Sequence, residues 1–330
     1  MTPRGTGRPL RPRQPEISFS AYTPETPDLE DVFRLDPVTG QVAPITHQPA
    51  PETASHRGGD WSPDRTRVVA FGGPGSPTRV YVLTAASGAV EAEVWSGGEA
   101  PTWLDDHTLL LVRQDAVHLP GDEYRALREV LAVDMATWTV RQVTQVGDPL
   151  TVHGARWHPQ AGLALTVTPV SAQQPTQGVR VATVPAARVQ RAVAGTGPRV
   201  LPGDLRYPFG ATATSFPDWS PDGTRLAVVR HHGAAGVWSP TDIAVGTVRT
   251  GRLRVLVDGS GLTDDGDPAL PSGYGVPAWS PDGAAVAYLE YHRDRWGEIW
   301  VADAVTGVAG GGRRQVTDFG HGEVVVGLDW

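Results

Sequence analysis

A short motif, Trp-Ser-Pro-Asp, occurs three times in this chain, beginning at Trp61, Trp219 and Trp279. Degenerate copies surround two further tryptophans, and the chain ends on another one. Sequence repeats of several tens of residues indicate an array of similar units, each packing its apolar face against its neighbours. The six anchors, spaced 42 to 62 residues apart, are Trp61, Trp103, Trp157, Trp219, Trp279 and Trp330.

Each anchor is followed by the same succession of short strands. The first is a continuous apolar run, such as RVVAF (67–71) or AVAYL (285–289), which indicates a strand covered on both faces. A second apolar strand follows, and then a third that alternates polar and apolar residues, such as RVQRAV (188–193) and RLRVLV (252–257). Each unit is therefore predicted to be a four-stranded antiparallel blade, with strands A to D and the tryptophan on strand A.

The two ends of the chain are predicted to share one blade. ISFSA (17–21), DVFRL (31–35) and QVAPIT (41–46) supply strands B, C and D, and the C-terminal VVVGLDW (324–330) supplies the missing strand A. The prediction is an all-β, six-bladed β-propeller whose ring is closed by the C-terminal strand joining the N-terminal blade. Residues 16–330 would form this single domain, and the Arg- and Pro-rich residues 1–15 a flexible arm.

These motifs resemble a known repeat. The Trp-Ser-Pro-Asp-Gly turn, the C strands DIAV (242–245) and EIWV (298–301), and the C-terminal closure resemble the TolB-type β-propeller repeat over residues 16–330. The resemblance implies the fold and leaves the function open. TolB itself has an additional N-terminal domain and an export signal, for which this sequence shows no counterpart. Similar propellers occur in prolyl-oligopeptidase-like peptidases, and related ones as oligogalacturonate lyases.

Composition excludes several kinds of chemistry. The formal net charge of −8 argues against a nucleic-acid partner, because phosphate binding requires a basic surface. All 28 Lys and Arg residues are Arg and the chain has no Cys, so lysine bases, thiol nucleophiles and thiolate metal sites are excluded. The sequence contains neither a G-x-S-x-G nor an H-E-x-x-H motif.

Location and oligomeric state are also predicted from the sequence. No apolar stretch is long enough to span a membrane, and the N-terminus lacks the apolar region of a secretory signal. We therefore expect a monomeric, cytoplasmic protein without a membrane span. A periplasmic location is the alternative if the N-terminus has been trimmed.

The connections on the two faces of the predicted propeller differ in length. A–B and C–D turns lie on one face, here called the short-turn face, and B–C and D–A connections lie on the other, the long-loop face. The long connections are 113–128, 194–215, 230–240 and 258–275. Long connections on a rigid scaffold commonly carry function, so we expect a ligand to bind on this face, at the mouth of the central channel.

Histidine and aromatic residues concentrate on the long-loop face. Eight of the ten histidines fall there, and only His107 and His158 belong to the short-turn face. Histidine can act as a base, metal ligand or hydrogen-bond donor, and aromatic rings can stack on sugars or peptide side chains. The structural alternative is that these are ordinary surface histidines and aromatic covers of the core. The candidate binding residues are His56, His153, His231, His232, Trp238, Tyr274, His292, Arg293, Trp296 and His321.

Three functions agree with these observations. The favoured one is a non-catalytic binding module that takes a peptide segment or small ligand into the channel mouth, because no catalytic constellation is complete. The resemblance to lyases implies an alternative, a metal-dependent lyase or hydrolase acting on an anionic carbohydrate-like substrate. Its divalent metal would be held by neutral imidazoles of His231, His232, His292 and His321. The third is a structural hub that binds protein partners. No cofactor is assured.

Acidic residues precede three of the anchors. Asp60, Asp218 and Asp329 are expected to cluster around the channel opposite Arg156. Because this position repeats with the blade, we expect these carboxylates to serve as structural hydrogen-bond acceptors rather than as a catalytic group.

Overall fold

The fold is described from a computed structural model. The described residues are 15–22, 31–46, 56–72, 79–96, 98–119, 123–147, 149–170, 178–232, 241–259, 273–292, 295–305, 312–319 and 324–330. The predicted arm over residues 1–15 lies outside them, apart from Pro15. No helix within the described residues is long and apolar enough to cross a membrane.

The strands follow the chain blade by blade. Blade 1 begins with β1 (Ile17–Tyr22), β2 (Asp31–Leu35) and β3 (Val42–Pro44). Blade 2 contains β4 (His56–Trp61), β5 (Arg67–Gly72), β6 (Arg79–Thr84) and β7 (Val90–Ser96). Blade 3 contains β8 (Gly98–Trp103), β9 (Thr108–Leu119), β10 (Glu123–Asp134) and β11 (Thr139–Gln142).

The remaining blades follow in the same order. Blade 4 contains β12 (Leu150–His158), β13 (Gly162–Pro169) and β14 (Arg180–Val184), followed by helix α1 (Ala186–Ala194) and a short 3₁₀ helix (Pro202–Asp204). Blade 5 contains β15 (Thr214–Trp219), β16 (Arg225–His231), β17 (Thr241–Thr247) and β18 (Arg252–Val257). Blade 6 contains β19 (Gly273–Trp279), β20 (Ala285–His292), β21 (Arg295–Asp303) and β22 (Arg314–Gln315), and β23 (Val324–Asp329) returns to blade 1.

The ring closes through the C-terminal strand. β23 pairs antiparallel with β1, placing Leu328 opposite Phe19, and the sheet order is β23-β1-β2-β3. The indole Nε1 of Trp330 donates to the carbonyl oxygen of Pro15 at 2.8 Å. The first strands of successive blades contact one another in the cyclic order β23, β4, β8, β12, β15, β19 and back to β23, so they surround the central channel. The predicted six-bladed propeller with this closure is confirmed.

The B strands, the second strand of each blade, are buried on both faces, as their apolar runs predict. Leu109, Leu110 and Leu111 on β9 have no exposed surface although successive side chains point to opposite faces. Side chains of adjacent blades share one core: Val229 of blade 5, for example, belongs to the same cluster as Trp279 of blade 6. Full burial of one such aliphatic side chain contributes about 1.5–3 kcal/mol, so the blades stabilise each other.

The strand predicted at RVQRAV (188–193) is wrong. These residues form α1, so blade 4 has three strands and the helix lies where a fourth strand would follow. The helix begins after Pro185 and ends at Gly195, whose φ of 71° is the left-handed conformation that glycine adopts readily. Ala186, Val189 and Ala192 form a buried stripe at helical spacing. Within the six residues 188–193, this spacing resembles the alternation of a strand.

The long connection predicted at 113–128 also differs in the structure. β9 and β10 continue through most of it as a long antiparallel hairpin, with Leu119 opposite Glu123. The side chains from 114 to 127 lie outside the described residues.

The Trp-Ser-Pro-Asp-Gly segment is an A–B turn of the scaffold. In blade 5 the Ser220 hydroxyl donates to Asp222 at 2.6 Å and accepts from the backbone N–H of Arg225 at 3.0 Å. Gly223 has a φ of 66°, which a residue with a Cβ adopts only at a cost. The turn is local and repeats with the blade, so it marks the architecture rather than a site.

Candidate functional site

The ten candidate binding residues differ in how much of them the structure describes. His153, His231 and His232 are described with their side chains. Four candidates lie in strands of which the structure describes only the backbone at these positions: His56, Tyr274, His292 and Trp296. Trp238, Arg293 and His321 lie wholly outside the described residues. The proposed four-histidine metal set is therefore represented by His231 and His232.

His231 and His153 are each bound to a hydroxyl group within their own blade. His231 Nε2 lies 2.7 Å from Ser215 Oγ, and His153 Nε2 lies 2.7 Å from Thr168 Oγ1. Burial lowers the pKa of both imidazoles, with a further lowering by His232 for His231 and by Arg128 for His153. Both rings are therefore neutral near pH 7.

The Ser215–His231 pair has the spacing of a nucleophile and its base. However, the Ser215 side chain is buried, with a residue exposure of 3%. A substrate cannot reach this hydroxyl, and the carboxylate of Asp242 binds the neighbouring His232 instead. The pair is consequently a structural hydrogen bond between β15 and β16.

Asp242 organises the edge of blade 5 on the long-loop face. Its side chain is fully buried, and Oδ1 accepts from His232 Nε2 at 2.7 Å and from the backbone N–H of Gly259 at 2.8 Å. Oδ2 accepts from Arg230 Nε at 2.7 Å, and the Nη2 of the same guanidinium also contacts it. The carboxylate thus joins β16, β17 and the connection that follows β18.

One group of described side chains could hold a metal ion. Ligand atoms of His232, Asp242 and Asp258 all lie within 4.8 Å of one another. Of the four predicted metal ligands, His232 is in this group. The two aspartates were not predicted from the sequence, although Asp258 occupies a position at the end of strand D where other blades have threonine.

The acidic residues before the anchor tryptophans act as predicted, as structural acceptors between blades. Asp329 accepts from the backbone N–H of Trp61 at 3.1 Å, and Asp60 accepts from that of Trp103 at 3.2 Å. In the same way, the Asp218 carboxylate of blade 5 accepts from the N–H of the anchor tryptophan of blade 6, at 2.7 Å. Each carboxylate therefore ties its blade to the next one around the channel.

Two of these channel carboxylates, Asp60 and Asp218, have strongly raised pKa values. Burial, with the added repulsion of Asp329, raises the pKa of Asp60 to about 8 and that of Asp218 to about 7. Arg156 lies among them; burial alone would lower its pKa, but the attraction of Asp60, Asp329 and Asp218 raises it. One arginine faces three carboxylates, so part of the acidic charge in the channel is neutralised by protons near pH 7.

The sequence analysis did not predict one exposed aromatic residue on β15, the strand of blade 5 that lies innermost, next to the channel. Phe216 is 52% exposed and has a φ of 48° at a bulge of β15. Ala100 and Val276, likewise three residues before an anchor tryptophan, also have positive φ. This positive φ repeats with the blade and therefore belongs to the bulge of the innermost strand, whereas the exposed aromatic ring distinguishes Phe216. Comparing the third residue before each anchor would have revealed Phe216.

Comparison with known proteins shows the fold of the chain. No family model matches the chain, and no curated protein matches it. The chain is similar to TolB from Acinetobacter baumannii at 17% identity with a TM-score of 0.65; the match covers 96% of this chain and 66% of that protein. The chain has a TolB-type β-propeller fold. It spans just under two thirds of the Acinetobacter protein.

Two further structures share the propeller fold. A protein from Agrobacterium tumefaciens assigned as TolB is 15% identical, with a TM-score of 0.55 and coverage of 95% of this chain and 97% of that one. An acylaminoacyl peptidase from Pyrococcus horikoshii is 11% identical with a TM-score of 0.51; the match covers 95% of this chain but 46% of the peptidase. At these identities the shared property is the fold.

Proposed function

We propose that this TolB-type propeller is a non-catalytic binding module that takes a peptide segment or a small ligand into the channel mouth on the long-loop face. The observation that carries the proposal is Phe216, an aromatic side chain that is 52% exposed on an innermost strand. Aromatic side chains offer a large contact area at low entropic cost, and a ring left in water on a channel strand is available for a ligand.

The surrounding polar groups favour binding over catalysis. The Phe216 N–H donates to Thr166 Oγ1 of blade 4 at 3.0 Å, which holds this bulge against the neighbouring blade. Ser215 and His231 next to it bind each other. A ligand would therefore meet a rigid surface with neutral imidazole and aromatic groups, and no described residue there is positioned as an accessible nucleophile.

The other candidates remain predictions of this proposal. We expect the face to be completed by the residues whose side chains lie outside the description. They are His56, Trp238, Tyr274, His292, Arg293, Trp296 and His321.

Selection from a random dodecapeptide display library against the wild-type protein tests the proposal. A selected peptide is labelled, and its dissociation constant is measured by fluorescence anisotropy for wild type, Phe216→Ala and Trp138→Ala. We expect Phe216→Ala to weaken binding at least tenfold, since removal of an aromatic anchor costs about 2 kcal/mol or more.

Trp138 is a matched control on the short-turn face. It is 54% exposed and also has a positive φ, of 56°, in the turn between β10 and β11. We expect Trp138→Ala to bind the peptide as wild type does. Equal loss in both variants, no loss in either, or failure to enrich any peptide would reject Phe216 as the ligand-binding residue. Binding of a folded protein partner unaffected by Phe216→Ala would favour the structural hub.

A second candidate function is a metal-dependent lyase or hydrolase acting on an anionic carbohydrate-like substrate. The group formed by His232, Asp242 and Asp258 supports it, because its ligand atoms are close enough to share one divalent ion. We expect protein supplied with Mn²⁺ to release unsaturated uronates from oligogalacturonate if this function is correct. Absence of product from metal-supplied protein would leave the binding module as the explanation.

The same proposal includes a monomeric state and a cytoplasmic location. Light scattering on the purified protein is expected to give the mass of one chain. Fractionation of cells that make the native protein is expected to recover it in the cytoplasmic fraction. Recovery in the periplasm would contradict the cytoplasmic location.

A further inference from the structure

Three blades share a contact that holds the end of strand D to strand C. An acidic side chain of strand C accepts a hydrogen bond from a threonine hydroxyl just after strand D, and that hydroxyl oxygen accepts from the next backbone N–H of strand C. We call this contact the threonine clasp. Its pairs are Asp31 with Thr46, Glu129 with Thr144, and Glu298 with Thr317.

Blade 5 departs from the threonine clasp at one residue. Asp242 is its acidic residue, and the register that pairs Ile243 with Val257 places Asp258 where the other three blades have threonine. A threonine hydroxyl has a proton to donate, whereas an ionised aspartate can only accept. Two carboxylates therefore converge at this position, an arrangement that favours a shared proton or a bound cation.

A third ligand converges on the same point from strand B. His232 follows β16, and its Nε2 lies 2.7 Å from Asp242 Oδ1. Arg230 binds the other oxygen, Oδ2, and leaves Oδ1 to His232 and to the backbone N–H of Gly259. A solvent ion can reach the group, since Asp258 is exposed and His232 half-buried.

We propose that His232, Asp242 and Asp258 form a divalent transition-metal site that replaces the threonine clasp in blade 5. One imidazole nitrogen with two carboxylate oxygens suits Zn²⁺ or Mn²⁺, whereas Ca²⁺ and Mg²⁺ prefer oxygen ligands throughout. The cation takes the place of the proton between His232 and Asp242. It joins strands B and C to the connection that leads from blade 5 toward blade 6 on the long-loop face.

This inference is independent of the binding module, because the cation would stabilise this end of the blade whether or not the protein binds a peptide. The lyase or hydrolase candidate uses the same three residues and therefore depends on it. The readouts for the metal site are therefore metal binding and thermal unfolding. A failed peptide selection would leave it untouched, and a failed metal titration would leave the binding module untouched.

The site is tested by titrating chelator-treated protein with ZnCl₂ and, separately, MnCl₂ in an isothermal titration calorimeter. We expect one ion per chain for the wild type. Asp258→Thr restores the residue of the other blades, so it should fold with a threonine clasp and bind the preferred ion at least tenfold more weakly. Mutation of a residue that only hydrogen-bonds to a metal ligand typically lowers metal affinity about 10–100-fold, and Asp258 is proposed as a ligand itself.

A second variant and a control keep the test decisive. His232→Gln is expected to lose affinity as Asp258→Thr does, while His107→Gln, which removes an exposed histidine on the short-turn face, is expected to bind as wild type. At one ion concentration, the Tm should rise by the same amount in wild type and His107→Gln and by less in Asp258→Thr. Absence of binding to wild type, or equal affinity in wild type, Asp258→Thr and His232→Gln, would overturn the site.

Discussion

At the scale of single residues, the position before the anchor tryptophan carries a different side chain, with a different role, in different blades. Where it is Asp60, Asp218 or Asp329, the carboxylate accepts an N–H from the next blade. In blade 4 it is Arg156, whose positive charge partly compensates the three carboxylates. Burial makes the charged forms of Asp60 and Asp218 costly, so the protonation of these two residues affects the protein's stability.

Asp218 gives the clearest test of this linkage. Its pKa is raised from 3.8 to about 7 on folding, so between these values the unfolded chain releases a proton that the folded protein retains. Its contribution to stability is therefore greatest below pH 4 and is lost as the pH rises to about 7. Asp218→Asn removes this loss while keeping an acceptor for the N–H of Trp279. We expect the variant to gain about 1–3 kcal/mol relative to wild type between pH 5 and pH 8.

Urea unfolding of both proteins at several pH values measures the difference directly. Comparing the variant with wild type at each pH cancels the opposite contribution of His153 and His231, whose lowered pKa values cost stability as the pH falls below 6.5. A difference in unfolding free energy that does not change with pH would contradict the raised pKa of Asp218.

At the scale of secondary-structure elements, the recurring contacts lie at strand ends. In blade 3 the Glu129 carboxylate receives the Thr144 hydroxyl and the backbone N–H groups of Val146 and Gly147, the last at 2.6 Å. One buried side chain thus satisfies three donors of the connection between blades 3 and 4. The same connection precedes β12, the strand with which blade 4 meets the channel.

Removing this carboxylate should cost far more than removing an exposed one. Glu129→Ala leaves three donors without their acceptor, and we expect a loss of about 2–4 kcal/mol in the free energy of unfolding. Glu91, an exposed residue that accepts from Thr84, is the matched control, and Glu91→Ala should change stability by about 0.5 kcal/mol or less. Chemical denaturation of the two variants decides the point; equal losses would mean that the clasp is not a stabilising contact.

At the scale of the whole molecule, stability depends on closing the ring. β23 covers β1 and brings Val325, Leu328 and Trp330 into the core shared by blades 1 and 6. Without it, two blades would each expose an apolar face and β1 would become an open edge. The six blades are therefore expected to unfold together rather than one at a time.

Two rearranged chains test the closure. Deleting residues 324–330 is expected to abolish a single cooperative thermal transition, because the first and last blades lose their shared strand. Moving the same residues by a short linker to a point before Pro15 makes blade 1 continuous in sequence, and this permuted chain should fold with a Tm close to that of wild type. Cooperative unfolding of the deleted chain at the wild-type Tm would contradict the role of β23.

Much of this architecture is readable from the sequence because its causes are local. The Ser-Pro-Asp-Gly turns and the apolar runs depend on neighbouring residues, and the number of tryptophan anchors predicts the number of blades. The strand A missing from the N-terminal unit predicts the closure by 324–330. The error at RVQRAV (188–193) has a local cause as well. Six residues cannot separate a period of 2 from one of 3.6 when alanine and valine occupy the buried positions of either.

Only the tertiary structure decided the pKa values and the ligand geometry where blades and strands meet. The raised pKa values of Asp60 and Asp218 depend on burial and on Asp329, which is far away in the chain. The convergence of His232, Asp242 and Asp258 depends on the register of three strands. Local propensity determines the repeat, whereas electrostatics and ligand geometry depend on distances that exist only after the ring has closed.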